Sequence, residues 1–98
     1  MIKTVNIDPR TTEQVVFDRI YPYFYIKNLS DSDVYAAIDK MSFSAGDDDV
    51  TCVPAQSCCI VYSTFASDTV NIKSDSDTAV IVEVIAAYDN NINFFNLK

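Results

Sequence analysis

Apolar and polar residues alternate along this chain in short runs, and no long segment repeats apolar positions every three or four residues beside good helix formers. Val, Ile, Tyr, Phe and Thr dominate the runs, and clusters of Asp, Ser and Asn separate them, which is the signature of strands joined by turns. The pattern predicts seven or eight strands: Ile2–Ile7, Gln14–Ile20, Tyr23–Asn28, Val34–Asp39, Val50–Val53, Cys58–Ser63, Thr69–Lys73 and Ala79–Ile85. Asp8-Pro9-Arg10 ends the first, because Pro9 fixes φ in a turn, and Pro54 stops the fifth. Ala45-Gly46-Asp47-Asp48-Asp49 reads as a turn, with Gly46 the only glycine available for a positive φ.

Strand starts recur about every ten residues, which favours an antiparallel sandwich or barrel over βαβ units. The expected fold is therefore an all-β antiparallel β-sandwich, loosely jelly-roll-like, over residues 1–87, with an Asn-rich C-terminal arm over 88–98. Alternation places Phe24 and Ile26 on one face of their strand and Tyr23, Tyr25 and Lys27 on the other. Val16, Asp18 and Ile20 likewise oppose Val15, Phe17 and Arg19. The core should hold Val, Ile, Phe and Cys, leaving Tyr and Lys for water or a neighbouring subunit. A weak internal echo links Ile26–Val34 with Ile72–Val80. Each reads as strand, polar turn containing Asp-Ser-Asp, then strand, hence two hairpins of similar turn chemistry.

A chain of 98 residues with 49% apolar content suits one domain with one core. Its longest apolar runs are too short to predict a membrane-spanning helix. The first residues lack the apolar stretch of a secretory signal. The formal charge of −7 argues against nucleic acid or an anionic membrane as partner. Three cysteines, Cys52, Cys58 and Cys59, do not make a disulfide framework, and small buried hydrophobes are the expectation for them.

Chemistry is sparsely written. Without histidine there is no Ser-His-Asp or Cys-His catalysis, and one glycine cannot build a phosphate loop. The thiols have no cationic neighbour in sequence to activate them. Asp31 with Asp33, Asp47 to Asp49, and Asp75 with Asp77 are the places where oxygen ligands could gather for Ca²⁺. Counting from Asp31 or Asp75, however, the sixth residue is not Gly and the twelfth is Ser42 or Ala86 where an EF-hand needs Glu. Solvated turns account for them. No catalytic residue, cofactor or metal is expected, and the chain reads as a non-enzyme. The candidate interface residues are instead Tyr21, Tyr23, Tyr25, Tyr35, Phe94, Phe95 and Leu97. Tyr pairs a large apolar body with a polar tip, and the apolar residues of an otherwise polar tail gain by leaving water.

Tyr21-Pro22-Tyr23-Phe24-Tyr25-Ile26-Lys27-Asn28-Leu29-Ser30 is followed by Asp33-Val34-Tyr35-Ala36, Ala45-Gly46-Asp47-Asp48-Asp49-Val50 and Val53-Pro54-Ala55-Gln56-Ser57. This succession, spanning about residues 12–85, resembles small structural proteins of tailed bacteriophages: head-decoration, auxiliary-capsid and head-fibre base modules. The sequence departs from them in Gln56, where glycine is commoner, and in its longer Asn-rich tail. The resemblance implies a β-sandwich without catalysis. It implies a virion protein made in the host cytoplasm and bound in many copies to the major capsid protein or other virion proteins on the capsid surface, with homo-oligomers expected. The other reading is a head-fibre or tail module that recognises a host surface glycan or protein.

Overall fold

The computed structural model describes residues 2–39, 46–47 and 49–88, and of 62–65 only the backbone. Among them are six strands and no helix: β1 (Ile2–Ile7), β2 (Thr12–Asn28), β3 (Val34–Ile38), β4 (Thr51–Val53), β5 (Cys58–Ser74) and β6 (Val80–Ala87). They form one hydrogen-bonded sheet in the order β1-β6-β2-β5-β3-β4, with every neighbouring pair antiparallel.

The sheet folds over on itself because its two longest strands bend. Residues 12–16 of β2 pair with 69–73 of β5, and residues 23–27 pair with 58–62, but the register shifts between Val16 and Tyr21 and again between Tyr21 and Tyr23. Over this stretch alternation fails, and Asp18, Arg19 and Ile20 are all exposed in succession. Such irregularities increase twist and let a strand turn a corner. One layer then consists of the start of β2, the end of β5, β3 and β4. The other consists of the end of β2, the start of β5, β6 and β1. A single apolar cluster fills the space between them. Val15, Val34, Ala36, Val53, Val70 and Ile72 come from the first layer, Ile7, Phe24, Ile26, Val61, Val80, Val82, Val84 and Ala86 from the second. Phe17 and Tyr21 close the cluster at the bend, where the Phe17 ring lies 5.6 Å from that of Phe24. The open sides are clasped by polar contacts. The Lys3 ammonium donates to the Val16 carbonyl, and the Asn28 amide donates to the Val53 carbonyl at 3.0 Å.

The expected antiparallel sandwich is thus present, with differences of detail that have physical causes. Gln14–Ile20 and Tyr23–Asn28 are one strand. Pro22 does not break it because the residue falls between register shifts, where no ladder bond is missed. Cys58–Ser63 and Thr69–Lys73 merge in the same way, so eight expected segments become six continuous strands. The echoing segments Ile26–Val34 and Ile72–Val80 are not hairpins. β2 does not pair with β3, nor β5 with β6; each turn is an arch that carries the chain from one layer to the other. Gly46 does not take a positive φ. Arg10 (57°), Asp39 (59°) and Gln56 (60°) do. Gln56 is held there by its side chain, whose amide donates to the Ser30 carbonyl at 3.0 Å and to Asp31 at 3.3 Å. The last strand runs on to Ala87 instead of ending at Ile85.

Candidate contact surface

The bend that closes the core also leaves large apolar side chains exposed. Because the chain runs through three exposed positions there, Ile20 is 60% accessible and Val16 45%. Tyr88, the first residue after β6, packs its ring 4.8 Å from that of Tyr21 while remaining 62% exposed. Its hydroxyl lies beside the Arg19 guanidinium, and the interaction pushes the Arg19 pKa up. Lys3 reaches across from β1, its ammonium 5.2 Å above the Phe17 ring. Ile2, at the start of the same strand, is 59% exposed. Ile20, Tyr88, Val16 and Ile2 are thus exposed at this end, interspersed with the charged Lys3, Asp18 and Arg19. An open groove of about 270 Å³ runs between residues 3–6 of β1 and 13–16 of β2.

The opposite end is built from the arches and carries four carboxylates beside the exposed Leu29 and Ile81. Asp31, Asp33, Asp75 and Asp77 lie in the connections 29–33 and 75–79, which meet through the Ser32 and Ser76 hydroxyls at 3.2 Å. Their carboxylates anchor turns. Asp33 accepts from the Ala55 amide at 3.0 Å, Asp77 pairs with Arg10, and Asp75 lies 3.9 Å from the Lys73 ammonium. Among the described residues no group of three or more His, Cys, Asp or Glu gathers as ligands for a metal. Asp48 lies outside the described residues.

The tyrosines singled out in the sequence do not form a common surface. Tyr21 is 7% exposed and belongs to the core, its ring edge-on to Phe17 at 6.0 Å. Tyr25 is 2% exposed, although alternation places it on the outside of its layer beside Ile85, which is itself 7% exposed. Both are corrections to the expected interface, since neither can meet a partner while the subunit keeps this structure. Tyr23 and Tyr35 are half-buried, and Phe94, Phe95 and Leu97 lie outside the described residues. Ile20 and Val16 were legible as one face of a strand, but their companion Asp18 gave no hint of which face would be buried.

The cysteines also depart from expectation, for none is fully buried. Cys52 is exposed and Cys58 and Cys59 are half-buried. Cys58 and Cys59 do face opposite ways, Cys58 opposite Lys27 and Cys59 opposite Ile26 against the core. The Cys59 thiol lies 3.7 Å from the Cys52 carbonyl. Desolvation pushes all three thiols up, the opposite of what an activated nucleophile requires. No protein-family model, curated protein or solved structure matches this chain.

Proposed function

We propose that the chain is a non-enzymatic structural protein of a bacteriophage virion, an auxiliary or decoration protein bound to the capsid in many copies. The observation that carries this reading is the pair of large exposed apolar side chains at the bend, Ile20 at 60% and Tyr88 at 62%. Such side chains placed on a shell would leave water when each copy is seated. Burial of a side chain such as Ile20 contributes roughly 1.5–3 kcal/mol, modest for one contact. Repetition over many linked contacts turns modest affinity into firm attachment. The sequence resemblance to phage head proteins and the absence of histidine support the same reading.

The test is to purify particles from the phage that carries this chain and locate it by cryo-electron microscopy and quantitative mass spectrometry. Many copies over the head, contacting the shell through the bend, are expected. Ile20→Asp should leave the domain folded and remove it from particles. A few copies at a fibre tip would favour the host-receptor module instead. Absence from the particles would overturn both readings.

A further inference from the structure

The two long strands have the same length and are 46 positions apart, because adding 46 to residues 12–28 of β2 gives 58–74 of β5. The same shift carries every pair of their ladder onto a pair of that ladder, Tyr21↔Ser67 at the centre onto itself. Thr12↔Lys73 becomes Cys58↔Lys27, Val15↔Val70 becomes Val61↔Phe24, and Val16↔Thr69 becomes Tyr62↔Tyr23. A ladder that maps onto itself when its strands are exchanged has a twofold axis through its centre, here at the bend.

The rest of the molecule obeys the same axis. Ile7↔Val80 of the β1–β6 pair becomes Val53↔Val34 of β4–β3, and Val5↔Val82 becomes Thr51↔Ala36. Arg10 and Gln56, both left-handed at 57° and 60°, are 46 apart. Their side chains reach Asp77 and Asp31, which are also 46 apart. The backbone bond from Asn28 to the Ser57 carbonyl, 2.8 Å, matches that from Ser74 to the Thr11 carbonyl, 2.9 Å. Inside the arches, the Ser30 amide donates to the Asn28 side chain as the Ser76 amide does to the Ser74 hydroxyl. One ladder departs: Asn28 pairs with Val82, whereas Ser74 pairs with Val34, a register difference of two residues. In sequence the shift leaves Val15/Val61, Ile26/Ile72, Lys27/Lys73, Ser30/Ser76, Asp31/Asp77 and Val34/Val80 identical. Apart from the part-exposed lysines these are core and arch positions, where the shared geometry restricts the choice of residue.

The axis exposes a second property. All five ladders join a strand of the first half, β1 to β3, to a strand of the second, β4 to β6. Among the described residues no strand pairs within its own half. Each half is therefore the other's only source of strand partners, and a single covalent connection, residues 39–50, joins them.

We propose that the chain is a fused dimer of one three-strand unit, and that its halves exchange with those of a second copy of the chain. In the exchanged dimer each first half pairs with the other chain's second half, so every ladder and core contact is kept and only the connection is rearranged. A connection of twelve residues, 39–50, holds the halves at an effective concentration on the order of millimolar. A dilute chain closes on itself, and exchange competes when copies fold while crowded to a similar level. The proposal does not depend on the virion reading.

The test uses the full chain with cysteines placed across the central ladder. One variant carries Lys27→Cys opposite native Cys58, with Cys52→Ser and Cys59→Ser. The other replaces all three native cysteines with Ser and carries Thr12→Cys and Lys73→Cys, the pair related by the axis. Each is refolded from denaturant at about 10 μM, far below the effective concentration, and at about 1 mM, comparable to it. Each is then oxidised, run without reductant, and its linkages are mapped by peptide mass spectrometry. At the lower concentration the 27–58 and 12–73 links should lie within one chain. At the higher, the same links should join two chains, and the covalent dimer fraction should rise several-fold in both variants. Links confined to one chain at every concentration would refute exchange, and variants that diverge would refute the axis. Native mass spectrometry of the unsubstituted chain provides an independent readout. Mixed dimers of isotope-labelled and unlabelled chains should form after refolding together at the higher concentration and not after mixing folded chains; their absence after joint refolding counts against the proposal.

Discussion

Asn28 is the residue whose removal should most selectively part the two layers. It ends the long strand β2, is 1% exposed, and uses its whole amide. The nitrogen donates to the Ser32 carbonyl at 2.7 Å and the Val53 carbonyl at 3.0 Å, with Pro54 at 3.3 Å sharing a hydrogen. The oxygen accepts from the Ser30 amide at 3.0 Å and the Ser30 hydroxyl at 2.7 Å. Asn28→Ala deletes four short bonds, each contributing about 0.5–1.5 kcal/mol net. Water can replace the part-buried partners but not the one at the buried Val53, so the loss should be about 3 kcal/mol. For a domain of this size that corresponds to a fall in Tm of roughly 12–24 °C. Ser74, its counterpart across the axis, accepts one side-chain bond at 3.2 Å, and Ser74→Ala should cost only about 0.5–1 kcal/mol. Urea unfolding followed by far-ultraviolet circular dichroism measures both, provided the slope is unchanged. A cost below about 1 kcal/mol for Asn28→Ala, or equal costs for the two variants, would show that this amide does not fasten the layers.

Other outcomes follow from the same geometry. Phe24→Asp or Ile26→Asp places an unpaired charge at a site with no exposure, and should leave the chain unfolded by circular dichroism; a normal spectrum would contradict the facing of β2. Asn71 is fully buried, and neither side-chain polar atom is hydrogen-bonded to a described residue. Asn71→Val should therefore raise the urea-derived stability by about 1–2 kcal/mol, and a loss would show that the amide has a partner. The Arg10–Asp77 pair is largely exposed, so Asp77→Asn should change stability by less than about 1 kcal/mol, with little response to salt. Burial raises the Tyr35, Cys58 and Cys59 pKa values in the folded chain. Their contribution is intact while both states stay protonated and is lost once the unfolded chain ionises first. The urea midpoint should therefore be insensitive to these groups below about pH 8 and fall above about pH 9, with alkylation of the thiols slow at neutral pH.

The strands were legible because alternation is a local property. Phe24 and Ile26, both inside, and the chain reversals near Pro9 and Pro54 could be read from neighbouring residues alone. The continuity of β2 through Pro22 could not, since a proline breaks a ladder only if its N–H is needed, and that depends on where the register shifts fall. Nor could the arches be told from hairpins, because Asp-Ser-Asp turn chemistry serves both. For the contact surface, the sequence offered tyrosines. Tyr21 entered the core through the bulge, and Ile20 and Tyr88 were left outside, an outcome set by the bend and not by side-chain type.

By itself, then, the order of residues determined an all-β chain of short alternating runs, poor in catalytic chemistry, with an echo of Asp-Ser-Asp turns. Only the tertiary structure decided that the echo marks a twofold axis, with each half's strands paired to the other's. Alternation records which way a side chain points relative to its neighbours. Pairing between strands some 46 positions apart is chosen by the shared core, which no short stretch of the sequence contains.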